Sequence, residues 1–305
     1  MTTRDDALTT LEPPDRLYYA TGVFLDAEDL EAEQRYHRGR LARVLDYVQG
    51  TGTIAGLRVD YKADKDELEV NPGLAIDRVG RLVELPRIAC MDLGRWFTYW
   101  KQLNQTIKSK NASGIALTEE ESALTGAASR FLTSLSADTQ TLFVDVHLRF
   151  AVCERGRTPA FANGPWDALD ATAPSRLRDG WEVLLTPRGG SDLSLPSKRV
   201  WPEAAPGEDL GLWQRRMEDH LLGNSWHHGS AAWTGNAPNH DASTEGLEDS
   251  TAIFLGRVSI PVTLTGGLPT RRADPVTVNN HARLFVLPNA ALVSWLRAIQ
   301  GTFRL

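Results

Sequence analysis

The sequence predicts an α+β fold: a mainly antiparallel β-core with an N-terminal amphipathic helix, an inserted helical hairpin and long loops. Three observations carry this. After Asp26, apolar residues recur at three- and four-residue steps. From 53 to 89 the step changes to two and glycines punctuate the run. At 141–152 the alternation is unbroken, with Leu142, Val144, Val146, Leu148, Phe150 and Val152 on one face. Steps near 3.6 and 2 mark helices and half-buried strands respectively.

Residues 1–17 are polar and acidic, and Pro13-Pro14 blocks helix and ladder alike, so an extended arm is expected. Asp26 suits an N-cap, and Asp29, three residues on, makes a short-armed capping box. Leu30, His37, Leu41, Val44, Leu45 and Val48 then form one stripe on a helix of about six turns. Glu28, Glu31 and Glu33 precede Arg35, Arg38, Arg40 and Arg43, an order that suits the helix dipole. Gly50 can end the helix in the left-handed conformation.

The period-two run reads as antiparallel hairpins turning at Asn71-Pro72-Gly73 and Arg78-Val79-Gly80. Helical spacing returns at 92–137. Leu93, Trp96, Phe97, Trp100, Leu103 and Ile107 share one stripe, and Thr118 with Glu121 caps a second helix. After the long strand at 141–152, Gly180–Leu185 makes another. Residues 187–208 and 223–250 read as long loops around a short helix from Leu210 to Leu222. Strands follow at Ile253–Leu264, Val276–Val278 and Leu284–Val286. Asn289 then caps a last helix at 290–300. The chain thus divides into an arm (1–17), a helix-plus-β-core unit (18–190) interrupted by the hairpin at about 92–137, and a loop-rich region (191–305) compatible with the same domain.

With 305 residues, 42% of them hydrophobic and 24% charged, the chain can bury a sizeable core. A net charge of −6 and a pI near 5.7 argue against nucleic acid, whose phosphates demand a basic surface. No basic segment leads into an apolar one, and no apolar run is long enough to span a bilayer. Neither a secretory signal nor direct membrane insertion is therefore expected. Cys90 and Cys153 read as free buried thiols, and assembly in the cytoplasm follows, with later release or membrane association left open. Among nine tryptophans, Trp166, Trp201, Trp226 and Trp233 stand in loop-like surroundings. There they pin loops to the body or anchor an interface.

The chemistry-bearing patterns are weak. His220, His227, His228, His240 and Asp241 cluster in sequence, but their spacing matches no usual zinc pattern. Gly-x-Ser-x-Gly is absent. Asp145 and Glu154 are the candidate carboxylate pair for glycoside cleavage, although Arg149, on the Asp145 face, suggests structural pairing. Gly50-Thr51-Gly52-Thr53-Ile54-Ala55-Gly56 follows a helix and precedes a strand, the reverse of a phosphate-binding loop. No catalytic residue, metal or cofactor is expected. Tyr18, Tyr19 and Phe24, beside the arm, and Trp226 and Trp233, in the second long loop, are the candidate interaction residues. The alternative for the first three is that they staple the first helix.

Several segments resemble a group of proteins encoded with phage-tail-like contractile injection systems. They are Phe24–Leu30 with Glu33–His37, Gly56–Val59, Val70–Asp77 with Gly80-Arg81, Val146–Phe150 with Cys153-Glu154, and Ser175–Val183. The resemblance covers about residues 19–88 and 141–186; the helical hairpin and everything after 190 match loosely or not at all. It implies a non-enzymatic structural subunit at or near the baseplate, present in several symmetric copies. Its partners would be other subunits of the particle and copies of itself. A surface-recognition or glycan-binding module of such a particle is the alternative, with a cell-wall hydrolase a more distant one.

Overall fold

The computed structural model describes residues 15–133, 141–159, 172–188, 207–223, 251–265 and 267–302. The fold is α+β, and every named strand pair is antiparallel. The first helix, α1 (Ala27–Val44), starts as its sequence directs. The Asp29 N–H donates to Asp26 Oδ1 at 3.0 Å, and the Asp26 N–H donates to Asp29 Oδ2 at 3.1 Å. The helix widens into one π-helical turn, Leu45–Gln49, and stops at Gly50, whose φ is +77°.

Six short strands follow: β1 (Gly52–Gly56), β2 (Val59–Lys62), β3 (Glu67–Val70), β4 (Gly73–Ile76), β5 (Leu82–Leu85) and β6 (Ala89–Asp92). They form two three-stranded sheets, ordered β1-β4-β5 and β2-β3-β6. Leu68 and Val70 turn inward from β3, and Val83 and Leu85 from β5, as the period of two requires. Cys90 and Cys153 are free thiols, but Cys90 is exposed and Cys153 half-buried. The expectation that both are buried is therefore wrong: Cys90 sits on the outer face of β6.

The helical hairpin forms as α2 (Leu93–Ala112) and α3 (Glu119–Thr133). Its aromatic stripe closes the core. Trp100 stacks on Phe131, with ring centroids 6.0 Å apart, and Trp96 Nε1 donates to the Leu185 carbonyl at 3.2 Å. Between the helices, Lys110 Nζ meets Glu121 Oε2 at 2.6 Å, while the Thr118 N–H donates to the same carboxylate. Lys110 is the main cause holding the Glu121 carboxyl below its ordinary value of 4.5. A carboxyl depressed on folding stabilises the fold above its unfolded pKa and loses that contribution as pH falls through the folded value. Acidification below about pH 4.5 should therefore lower the melting temperature of the wild type more steeply than that of Glu121→Gln. Equal acid slopes would show that the tie contributes nothing.

The largest sheet contains β7 (Thr141–Pro159), β8 (Thr172–Pro187), β9 (Ile253–Thr265), β10 (Leu268–Arg271) and β11 (Thr277–Asn279). Its order is β10-β9-β7-β8, with β11 also on β9. β7 and β8 run well past the expected limits of 152 and 180–185, and β10 was not expected. Residues 284–286 contribute only a bridge from Phe285 to Thr53. Two further helices, α4 (Leu210–Gly223) and α5 (Asn289–Thr302), complete the described chain.

The dry face of β7 is as expected: Leu142, Val144, Val146 and Leu148 are fully buried. The opposite face is not wet throughout, because Asp145 and His147 are fully buried too. Asp145 accepts from Arg257 Nε on β9 at 2.7 Å and pairs with Arg188 Nε at 3.1 Å. Arg149 instead pairs with Glu182, directly across on β8, at 2.6 Å. The expected Asp145–Arg149 pairing fails for a simple reason. Residues i and i+4 of a strand lie about 13 Å apart, whereas neighbouring strands lie about 4.8 Å apart. The same rise puts Asp145 and Glu154 about 30 Å apart along β7, far beyond the separation a glycosidase carboxylate pair needs.

Candidate functional site

An apolar helix stripe ordinarily turns inward. On α1 it turns outward. Of the expected stripe, Leu30, His37, Leu41 and Val44 are exposed, as is Val48 in the π-helical turn, and only Leu45 is half-buried; Ala27 and Gln34 are exposed on the same face. Leu41 is 62% accessible and Val48 70%. Only Ala42 and Asp46 are buried, on the opposite side of the helix. That side meets the turn between β4 and β5, where Gly80 lies against the Ala42 backbone. Arg78, buried beside Gly80, feels the Asp46 carboxylate. Burial is the larger influence and lowers its guanidinium to about 10, so it stays cationic at neutral pH.

The segment before α1 carries three of the five candidate interaction residues. Tyr18 and Phe24 point into solvent, Phe24 with 97% of its surface accessible, so neither staples the helix. Tyr19 does fold back: its hydroxyl donates to Glu33, a bond that raises the Tyr19 pKa. Trp226 and Trp233 lie outside the described residues, as do Trp166, Trp201, His227, His228, His240, Asp241 and residues 1–14 of the expected arm.

Two surfaces were not read from the sequence as interaction sites. The first is α5, where Leu292, Val293, Trp295 and Leu296 are all exposed. Their spacing in the sequence is itself the signal. The second is the outer half of the β7–β8 hairpin. Beyond Val152 and Asp179 both strands are solvated along Glu154–Thr158 and Pro174–Arg178. This ribbon carries Arg155, Arg157, Arg176 and Arg178, and Arg155 stands directly opposite Arg176. Like charges in register destabilise a free ribbon. The signal in the sequence was the loss of apolar alternation after Cys153, which reads equally well as a loop.

Among the described residues, one small cavity of about 10 Å³ is lined by Thr51, Gly52, Arg78, Thr251 and their neighbours; it has room for about one water. Glu67, Glu69 and Cys90 place ligand atoms within 4.8 Å of one another across β3 and β6, but Glu69 is engaged by Lys62 at 3.6 Å. Among the described residues, no helix is long and apolar enough to cross a membrane. The chain matches no protein-family model and no curated protein sequence.

Proposed function

We propose that this chain is a non-enzymatic structural subunit of a phage-tail-like contractile injection particle, at or near its baseplate, assembling through its N-terminal segment and projecting elements. The observation that carries the assembly role is the exposure of Leu30, Leu41, Val44 and Val48 along α1 and its π-helical turn, together with that of Tyr18 and Phe24. Large apolar side chains left exposed together on a folded chain mark a place where another surface belongs. The exposed apolar residues of α5 and the arginine-bearing β7–β8 ribbon support the same reading, because each supplies contact chemistry on an element that stands away from the core. The ribbon suits an acidic neighbour, and the chain itself carries a net charge of −6. The injection-particle setting rests on the resemblance of residues 19–88 and 141–186.

The test is isolation of intact particles from cells carrying this gene beside sheath and tube genes. The chain should co-purify in a fixed ratio to the sheath protein and occupy density near the baseplate in a cryo-EM map. Particles that assemble completely in a deletion strain and lack any density for the chain would refute the role. Phe24→Ser should reduce incorporation several-fold while leaving the melting temperature within about 1 °C, since a solvated side chain contributes little to the isolated fold.

A further inference from the structure

Resting on the reading of the chain as a multicopy subunit, we infer that α1 pairs antiparallel with α1 of a second copy around a two-fold axis. Six of the exposed residues of α1 fall in a seven-residue pattern. Ala27, Gln34 and Leu41 alternate with Leu30, His37 and Val44, which is the seam of a two-stranded coiled coil. Glu31 and Arg38 flank one edge of this seam, and Glu33 and Arg40 flank the other.

Antiparallel pairing of two such seams has one register that satisfies both the seam and its edges. Leu41 packs on the second copy's Leu30, and Ala27 on the second copy's Val44. Gln34 meets the second copy's His37, a polar layer that fixes register. In this register Glu31 faces Arg38 of the second copy and Glu33 faces Arg40, and the two-fold axis repeats each pair. All four edge contacts are then of opposite sign, and the helix dipoles run antiparallel. Glu33 also receives the Tyr19 hydroxyl, which draws the preceding segment alongside the seam. Parallel pairing would bring Asp26 beside the second copy's Glu31 and align the dipoles. The positions that α1 and its π-helical turn bury, Ala42 and Asp46, lie on the opposite side of the helix from this seam. The 18-residue α1 is about 27 Å long. A seam of that size buries less than the roughly 1,200 Å² of a stable standard interface, so the dimer should be weak and concentration-dependent.

The test uses the full chain and sedimentation equilibrium. Wild type should show a monomer–dimer equilibrium. Arg38→Glu with Arg40→Glu makes both edges acidic, and Glu31→Lys with Glu33→Lys makes both basic. Each double variant should dissociate at least tenfold more readily than wild type, a 1:1 mixture should recover the dimer, and the quadruple variant should recover it alone. Circular dichroism of each variant verifies the fold. In a Cys90→Ser, Cys153→Ser background, Leu30→Cys chains mixed with Leu41→Cys chains should cross-link on oxidation. Leu30→Cys chains alone should not. Cross-linking of Leu30→Cys with itself, or charge variants that dimerise like wild type, would overturn the pairing. So would a wild type that stays monomeric and associates through α1 only when another subunit is added, and that outcome would leave the subunit reading standing. Dimers that never appear in particles would refute the subunit reading and leave the pairing intact.

Discussion

Replacing Asp145 by alanine is expected to destabilise the protein by about 3–5 kcal/mol, the cost of stripping a buried charge cluster of its counter-ion. Asp145 is fully buried, and Arg257 and Arg188 reach it at 2.7 and 3.1 Å. Burial pushes the Asp145 carboxyl up while the two guanidinium groups pull it down. Arginine cannot shed its proton to escape burial, so removing the carboxylate takes a neighbouring anion from two buried cations. The cluster joins β7 to β9 and to the residue just after β8, and the Arg188 N–H also donates to the Phe143 carbonyl at 2.9 Å. It therefore holds the base of the projecting hairpin. Denaturant titration should show the full loss, and hydrogen exchange should show Phe143 and Arg188 opening first. The internal comparison is Arg149→Ala. Its partner Glu182 is half exposed, so the cost should stay below about 1 kcal/mol beyond lost packing. If Asp145→Ala proves as mild as Arg149→Ala, the buried cluster contributes no more than a surface pair.

Gly80→Ala is expected to cost about 2–4 kcal/mol and to lift α1 from the body. Gly80 has φ +82°, and a β-carbon there would fall 1.8 Å from the Ala42 carbonyl oxygen. Either the turn between β4 and β5 changes shape or the helix moves away. The turn is braced against change. The Asp77 carboxylate accepts from the backbone N–H groups of Val79 and Arg81 and from Arg81 Nε, and Arg81 continues to Thr251 Oγ1 at 2.7 Å. The helix and its π-helical turn bury only Ala42 and Asp46, so the helix should yield. Exchange protection should fall at 38–50 while the β7–β9 ladder keeps its own. Gly114→Ala isolates backbone strain from collision: its φ is +66°, with nothing within 4 Å of the added carbon. A Gly80→Ala variant no worse than Gly114→Ala would mean that the close approach to Ala42 is not what seats the helix.

Much of the fold was legible because it is local. Capping at Asp26 and Thr118 depends on residues three positions apart, and the structure forms both boxes. The aromatic stripe of α2 and the dry face of β7 follow from periodicity alone. The extent of β7 and β8 was not legible, since the outer ribbon has no apolar side to alternate with. The partners of Asp145 were misassigned because strand neighbours come from residues 43 and 112 positions away in sequence. Of the candidate interaction residues, Phe24 and Tyr18 are exposed, while Tyr19 is tied to Glu33.

The chain's own sequence determined which residues of α1 share a face and how its charges are ordered along the axis, because helix geometry converts spacing into direction whatever surrounds it. Only the tertiary structure decided that this face looks outward. Among the described residues, the body meets this helix at the glycine turn beside Ala42 and at Arg78 beside Asp46, on the side away from the stripe. Periodicity reports which side chains lie together; it carries no information about whether the surface opposite them belongs to the same molecule or to another.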